Sequence, residues 1–329
     1  MKPETEDLIF KIDNKESFRE FALEIFRMQS AGNKIYSDFI KNLRVDPEQV
    51  KSVEEIPFLP AAFFRTQKVI TGDFPHEKVF ESSGTTGSGS SRHYVVDLRL
   101  YEKSFVNTFT YFYGKPSDYM IAALLPSYTE RENSSLVYMM ENLISRSSYR
   151  GSSFYKNDYA SLLASICEAR EEEKDILLIG VSFALLDLAE KHSPDLHDVI
   201  VMETGGMKGR RKEITRAELH SVLKKAFNLK VVHSEYGMTE LLSQAYSKGE
   251  GVFRCPPWME ILIRDPQDPL TIIKEPGITG GINIIDLANI HSCSFISTGD
   301  LGKLHADGSF EVLGRIDNSD IRGCNLLLD

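Results

Sequence analysis

The sequence predicts an α/β fold with a largely parallel sheet, and three observations predict it. In the middle of the chain, short apolar runs at 119–125, 175–179, 199–202 and 229–232 alternate with stretches of helical periodicity, as expected of strands joined by crossover helices. The opening third carries its apolar residues at helical spacing. From Trp258 onward the runs shorten and turn signals multiply. These changes divide the chain into a helical N-terminal layer over 1–75, an α/β core over 76–255 and a β-rich subdomain over 256–329.

In the N-terminal layer, Phe18, Phe21, Ala22, Ile25 and Phe26 fall on one helical face, Asp13 and Glu16 are spaced as a capping box, and Gly32 with Asn33 ends the helix. Asp46 before Pro47 marks a second helix start, and 56–64, with Pro57 and Pro60, reads as an extended connection. Near the C-terminus, Asp307 with Gly308 predicts a hairpin between 302–304 and 310–313.

The 329 residues are 42% hydrophobic and 26% charged, a globular composition, and the formal charge of −10 argues against a protein that binds nucleic acid through a broad basic surface. Cys167, Cys255, Cys293 and Cys324 form no CxxC pair, which argues against a zinc site or a disulfide framework and fits a reducing, cytoplasmic setting. Residues 1–10 are polar and acidic, unlike a secretory signal, and no apolar stretch is long enough for a transmembrane segment.

The segment ESSGTTGSGSSRHY follows the apolar pair Val79 and Phe80, and every position of 82–89 is glycine, serine or threonine. Glycines let backbone N–H groups approach an anion and hydroxyls add donors without charge, so Ser82, Ser83, Gly84, Thr85, Thr86 and Gly87 are candidate phosphate ligands. The lysine of a Walker A loop is missing, and a flexible linker is the competing reading. Four further segments follow: ETGGMKG at 203–209, SEYGMTE at 234–240, STGDLG at 297–302 and LGRIDNSDIRG at 313–323.

Together and in this order, the five motifs resemble the core motifs of the adenylate-forming superfamily, which includes acyl-CoA synthetases, peptide-synthetase adenylation domains and firefly-type luciferases. The resemblance implies the N-terminal-domain fold of that superfamily, with mixed and parallel sheets flanked by helices and a small β-rich subdomain. It also implies ATP and Mg²⁺. By resemblance, Gly205 and Gly206 line the adenine slot, Tyr236 stacks on the base, and Gly237 and Met238 lead to Thr239 at the α-phosphate. Glu240 holds Mg²⁺, a hard cation suited to carboxylate oxygen; Asp300 accepts from the ribose hydroxyls; Arg315 contacts ribose or phosphate. Taken singly, the glycines read as a turn, Tyr236 as a core aromatic, and Glu240 and Asp300 as surface acids.

Two departures from the superfamily pattern stand out. The usual Pro-Lys pair after the glycine loop is replaced by a run leading to Arg92 and His93, where Arg92 is a candidate substitute cation. The mobile C-terminal domain, about a hundred residues carrying a catalytic lysine, is expected to be lacking, since the sequence ends six residues after Gly323 and leaves Asp317, at the hinge position, no domain to swing. The ending RGCNLLLD, with TGGMKGRRKEITRAELH and FRCPPWMEILIRDP, resembles the LuxE-type acyl-protein synthetases. That resemblance implies a fatty or similar carboxylic acid as substrate, Cys324 as acyl acceptor, and an acyl reductase as partner. A thiolate is a strong nucleophile near neutral pH and Arg322 favours it, although a small buried hydrophobe is the ordinary role of a lone cysteine.

Other readings stay open. A phenylacetate-type coenzyme A ligase shares the adenylation motifs, and a degenerate adenylate-binding protein shares them without the chemistry. Gly180, Val181, Ser182, Phe183 and Ala184 approach the G-x-S-x-G elbow of serine hydrolases, with His192, His220 and His233 following. The basic run 208–212 reads as a solvated face or as a docking site for an acidic partner, and 125–128 as a border of an acyl pocket.

Overall fold

The computed structural model describes residues 3–82, 89–126, 133–206, 211–212 and 214–316, with side chains from Glu6 onward. The chain divides into two compact units, residues 1–74 with 257–329, and residues 75–256.

In the unit formed by 75–256, five strands run parallel in the order Ser153–Phe154, Tyr119–Leu124, Asp175–Val181, Ile200–Thr204 and His233–Tyr236. Ala245–Ser247 and Val252–Arg254 extend this sheet antiparallel. The central strands explain their own sequence: Tyr119–Leu124 is buried at every position, as a parallel strand covered on both faces requires. The helices between them are amphipathic; Leu98–Tyr113 buries Leu100, Tyr101, Ser104, Phe105, Thr108 and Phe109 along one face. The strand predicted at 229–232 lies later, at His233–Tyr236. Helix Arg216–Phe227 ends on Asn228 in the left-handed region, and Leu229 N–H bonds the Lys224 carbonyl, so these residues complete a helix end. Residue His233 is the first to reach register with Met202. A separate antiparallel pair, Lys78–Glu81 with Arg92–Val95, carries the glycine loop at its tip.

The other unit is an antiparallel sheet ordered Ile272–Ile273, Met259–Arg264, Thr279–Asp286, Phe295–Leu304 and Phe310–Arg315, with Leu59–Pro60 added parallel to Phe295–Leu304. The predicted hairpin is present, turning at Asp307 and Gly308. Helix Lys15–Gly32 buries Phe18, Ala22, Ile25 and Phe26, and Phe26 and Tyr36 pack around Phe295 with ring centroids 6.0 and 6.2 Å away. The helix cap is Asn14, one residue beyond the predicted Asp13. Asn14 Oδ1 accepts from Ser17 N–H, while its amide donates to Asp13. Asp46 and Pro47 open a single 3₁₀ turn, Pro47–Gln49. Among the described residues, no helix is long and apolar enough to cross a membrane.

Candidate functional site

Neighbouring parallel strands send their following loops off the same edge of the sheet, the carboxyl edge where open α/β sheets bind ligands. Strand Ile200–Thr204 delivers Gly205 and Gly206 there, and its parallel neighbour His233–Tyr236 delivers Gly237, Met238, Thr239 and Glu240. The backbone at Gly205 turns with φ +65°, and both glycines are exposed, so a flat face of main chain is presented after the strand. Ser182 Oγ, at the start of helix Ser182–Lys191, donates to the Gly205 carbonyl at 3.0 Å. This buried hydroxyl of the elbow-like segment therefore holds the glycine turn.

On the adjacent strand Tyr236 is mostly covered, its ring edge-on to Phe253 at 6.0 Å and its hydroxyl 3.9 Å from Met238 Sδ. A Cβ on Gly237 would stand 2.5 Å from Glu235 Oε1, so a side chain here would displace the Glu235 carboxyl. The turn is closed by Leu241 N–H on the Met238 carbonyl at 3.1 Å, and Glu240 within it is buried. Among the described residues no group of three or more His, Cys, Asp or Glu side chains is placed to hold a metal. A single carboxylate such as Glu240 suits Mg²⁺, which keeps waters and completes its shell from substrate phosphates.

The hairpin bearing the glycine loop is closed at its base in both directions. Ser82 N–H donates to the Ser91 carbonyl at 3.0 Å, and Ser91 N–H donates to Ser82 Oγ at 2.9 Å. Ser83, Gly84, Thr85, Thr86 and Gly87 lie outside the described residues. Strand alternation then turns Arg92 outward, exposed and opposite Glu81, and His93 inward, where its Nδ1 lies 2.8 Å from the Thr239 carbonyl oxygen.

The electrostatics of this strand pair escaped the sequence reading. Glu203, opposite Ser234, and Glu235, opposite Thr204, are both buried but on opposite faces of the sheet. Burial alone pushes Glu203 up, yet His220, the Arg216 guanidinium at 2.9 Å and Ser234 outweigh it and hold this carboxyl below the usual range. Thr204 Oγ1 donates to Glu235 at 2.5 Å, but burial and the charge of Glu203 outweigh it, and Glu235 is pushed up to about 7. His220 Nε2 faces both Ser234 Oγ (3.4 Å) and Glu203 Oε1 (3.6 Å). A serine–histidine–acid relay uses opposite ring nitrogens, so this cluster is a buried brace rather than a nucleophile.

In the other unit, Asp300 and Arg315 are cross-strand partners, with Arg315 Nε 3.6 Å from Asp300 Oδ1. The Arg315 side chain is 73% exposed, which leaves its guanidinium accessible to an anion. Thr298 Oγ1 accepts from Asp300 N–H at 3.1 Å and orients Asp300 within strand Phe295–Leu304. Cys324, like Asp317 and Arg322, lies outside the described residues, as do 127–128 of the expected pocket border and 208–210 of the basic run. Of the other cysteines, Cys167 is exposed on helix Tyr159–Glu171, and Cys255 is half-buried. Cys293 is buried just ahead of strand Phe295–Leu304, and burial pushes its thiol up to about 12, away from reactivity.

A family model described as acyl-protein synthetase, LuxE, matches residues 4–329. No curated protein matches this sequence. Among solved structures, ATP-bound MatB from Rhodopseudomonas palustris superposes with a TM-score of 0.51 at 17% identity, over 72% of this chain and 47% of MatB. An ATP-bound RpMatB-BxBclM chimera gives a TM-score of 0.54 at 20% identity, over 72% of this chain and 47% of the chimera. The chain thus spans about half the length of these structures. At such identities the likeness establishes the fold, which is the α/β fold of the N-terminal domains of adenylate-forming enzymes.

Proposed function

The chain belongs to the acyl-protein synthetase, LuxE family, and we propose that it activates a carboxylic acid, a fatty acid by family resemblance, as acyl-AMP before moving the acyl group to Cys324. In the first step a carboxylate oxygen attacks the α-phosphate of ATP, an acyl–phosphate bond forms, and pyrophosphate leaves. In the second, the Cys324 thiolate attacks the acyl carbonyl, a thioester forms, and AMP leaves. The proposed recipient of the thioester is an acyl reductase, which would release it as aldehyde using its own reductant.

The observation that supports this reading best is the gathering, on one unit, of the adenine-slot glycines and the Thr239–Glu240 turn at the carboxyl ends of neighbouring parallel strands. His93 links the glycine-loop hairpin to that turn. In-line phosphoryl transfer asks chiefly for positioning and charge neutralisation. The proposed roles follow. Residues Ser82 to Gly87 wrap the phosphates, Gly205 and Gly206 take the adenine, and Tyr236 supports the base. Thr239 donates to the α-phosphate, Asp300 accepts from ribose and Arg315 binds ribose or phosphate. Glu240 would hold Mg²⁺, which when bound neutralises phosphate charge.

Acid-dependent ATP–pyrophosphate exchange, paired with covalent labelling by a radioactive acid, tests both steps. Cys324→Ser is expected to keep exchange within about twofold and to lose the label. Persistent label in that variant excludes Cys324 as acceptor, and thioester found only on added coenzyme A points to a ligase of the phenylacetate type. Absence of exchange with every acid of a broad panel would refute acid activation itself.

A further inference from the structure

We propose that His93 is a positioning residue for adenylate formation, its imidazole tying strand Arg92–Val95 to the Thr239 backbone so that this strand holds the Thr239 turn in place. The inference rests on the reading of Thr239 and Glu240 as ATP-handling residues. His93 is buried, 1% exposed, on strand Arg92–Val95, two positions beyond the Ser82–Ser91 closure of the loop. Its Nδ1 lies 2.8 Å from the carbonyl oxygen of Thr239, a residue 146 positions away in the chain. That oxygen can only accept, so Nδ1 carries the proton and the ring is held as a donor. The Thr239 turn is already closed on one side by the Leu241–Met238 bond. Its main chain is therefore pinned locally by its own turn and at long range by His93. A phosphate ligand pinned to strand Arg92–Val95 keeps its position relative to the Ser82–Ser91 closure at the base of the strand pair. Misplacement by about 1 Å at such a centre costs roughly 10²-fold in rate.

The test compares three variants in the exchange assay, each checked for folding by its urea midpoint. Asparagine places an amide N–H where Nδ1–H stands, leucine fills the space without a donor, and glutamine carries its donor one methylene farther out. His93→Asn is expected to keep kcat within about threefold of the parent, while His93→Leu and His93→Gln lose about 10- to 100-fold in kcat with the KM for acid little changed. A residue that merely fills space would give the reverse order, leucine tolerated and asparagine impaired. That order, or equal losses in all three, overturns the proposal. Should His93→Leu fail to fold, the asparagine–glutamine pair decides in the same way. A parent protein without exchange on any acid refutes the functional reading and takes this inference with it, whereas a parent that exchanges and a His93→Leu variant that matches it refute the inference alone.

Discussion

Helix Lys15–Gly32 is fastened by amides to the connection 287–294 between two strands of its unit, whereas the strand pair Ile200–Thr204 and His233–Tyr236 is built around carboxylates, and the two solutions answer differently to pH. At the first place Gln29, fully buried, donates through Nε2 to the carbonyls of Asn289 and Ile290 at 3.2 and 3.0 Å, and its Oε1 accepts from Ser294 N–H at 2.9 Å. Asn33 does the same one turn later, donating to the Ser292 carbonyl at 2.8 Å and accepting from Tyr36 N–H at 3.1 Å. Side-chain amides do not ionise. At the second place Glu203 and Glu235 stand in adjacent strands beside the candidate site, each with a displaced pKa. A scaffold joint is thus indifferent to protons, while the strands that carry the site respond to them.

The comparison breaks most visibly at Gln29. Gln29→Leu nearly keeps the volume but strands the Ile290 carbonyl and the Ser294 N–H in the interior, each costing about 1–3 kcal/mol, while the Asn289 carbonyl keeps its bond from Ser292 N–H. We expect a loss of about 4 kcal/mol in urea unfolding, the same at pH 5 and pH 8. A loss that varied with pH would show that this joint too contains a titrating group.

Glu203→Gln should come next. The substitution removes the negative charge opposite Arg216 and leaves that guanidinium without its buried counter-ion, a loss of about 3 kcal/mol at pH 7. The folded carboxyl is held below its ordinary 4.5, so the stability it contributes is present above 4.5 and is lost as pH falls through the folded value. Parent and variant unfolding curves should therefore converge in acid. A constant gap from pH 7 to pH 3 would mean that Glu203 acts through shape alone.

These two places also separate what the sequence discloses from what it hides. Helix Lys15–Gly32 was legible because burial of Phe18, Ala22, Ile25 and Phe26 leaves a local period. Its cap was misread by one residue because Asp13 and Asn14 are both good caps and only the backbone at Asn14 decides between them. Strand Asp175–Val181 was legible as an apolar run, but the polar strand His233–Tyr236 was not, since its place is set by pairing with Met202, Glu203 and Thr204 across a crossover. The glycine turn and the SEYGMTE segment can be singled out as candidates because each motif is contained in consecutive residues. The bonds from Ser182 to Gly205 and from His93 to Thr239 join residues distant in sequence, and no local spacing encodes them. The alternation of Arg92, His93, Tyr94 and Val95 does place His93 inward, and that was the one available signal.

The smallest expected effect has the opposite sign from the others and sharpens the comparison furthest. Glu235 is pushed from an ordinary 4.5 to about 7 by burial and by Glu203, with Thr204 only partly offsetting them. Below 4.5 the group is protonated in folded and unfolded chains alike and contributes nothing to pH dependence. Between 4.5 and 7 the unfolded chain ionises while the buried group does not, so stability falls, and above 7 the deficit is constant at no more than about 3 kcal/mol. Glu235→Gln abolishes that ionisation and keeps an oxygen for the Thr204 hydroxyl, at the expense of burying an extra amide donor. A gain on the order of 2 kcal/mol at pH 8, vanishing near pH 4, is the expected result of urea titrations. Two carboxylates on opposite faces of one strand pair would then show opposite pH signatures. If Glu235→Gln instead destabilises at pH 8, Glu235 is held ionised by a partner stronger than Thr204, and the proton-responsive behaviour of this strand pair rests on Glu203 alone.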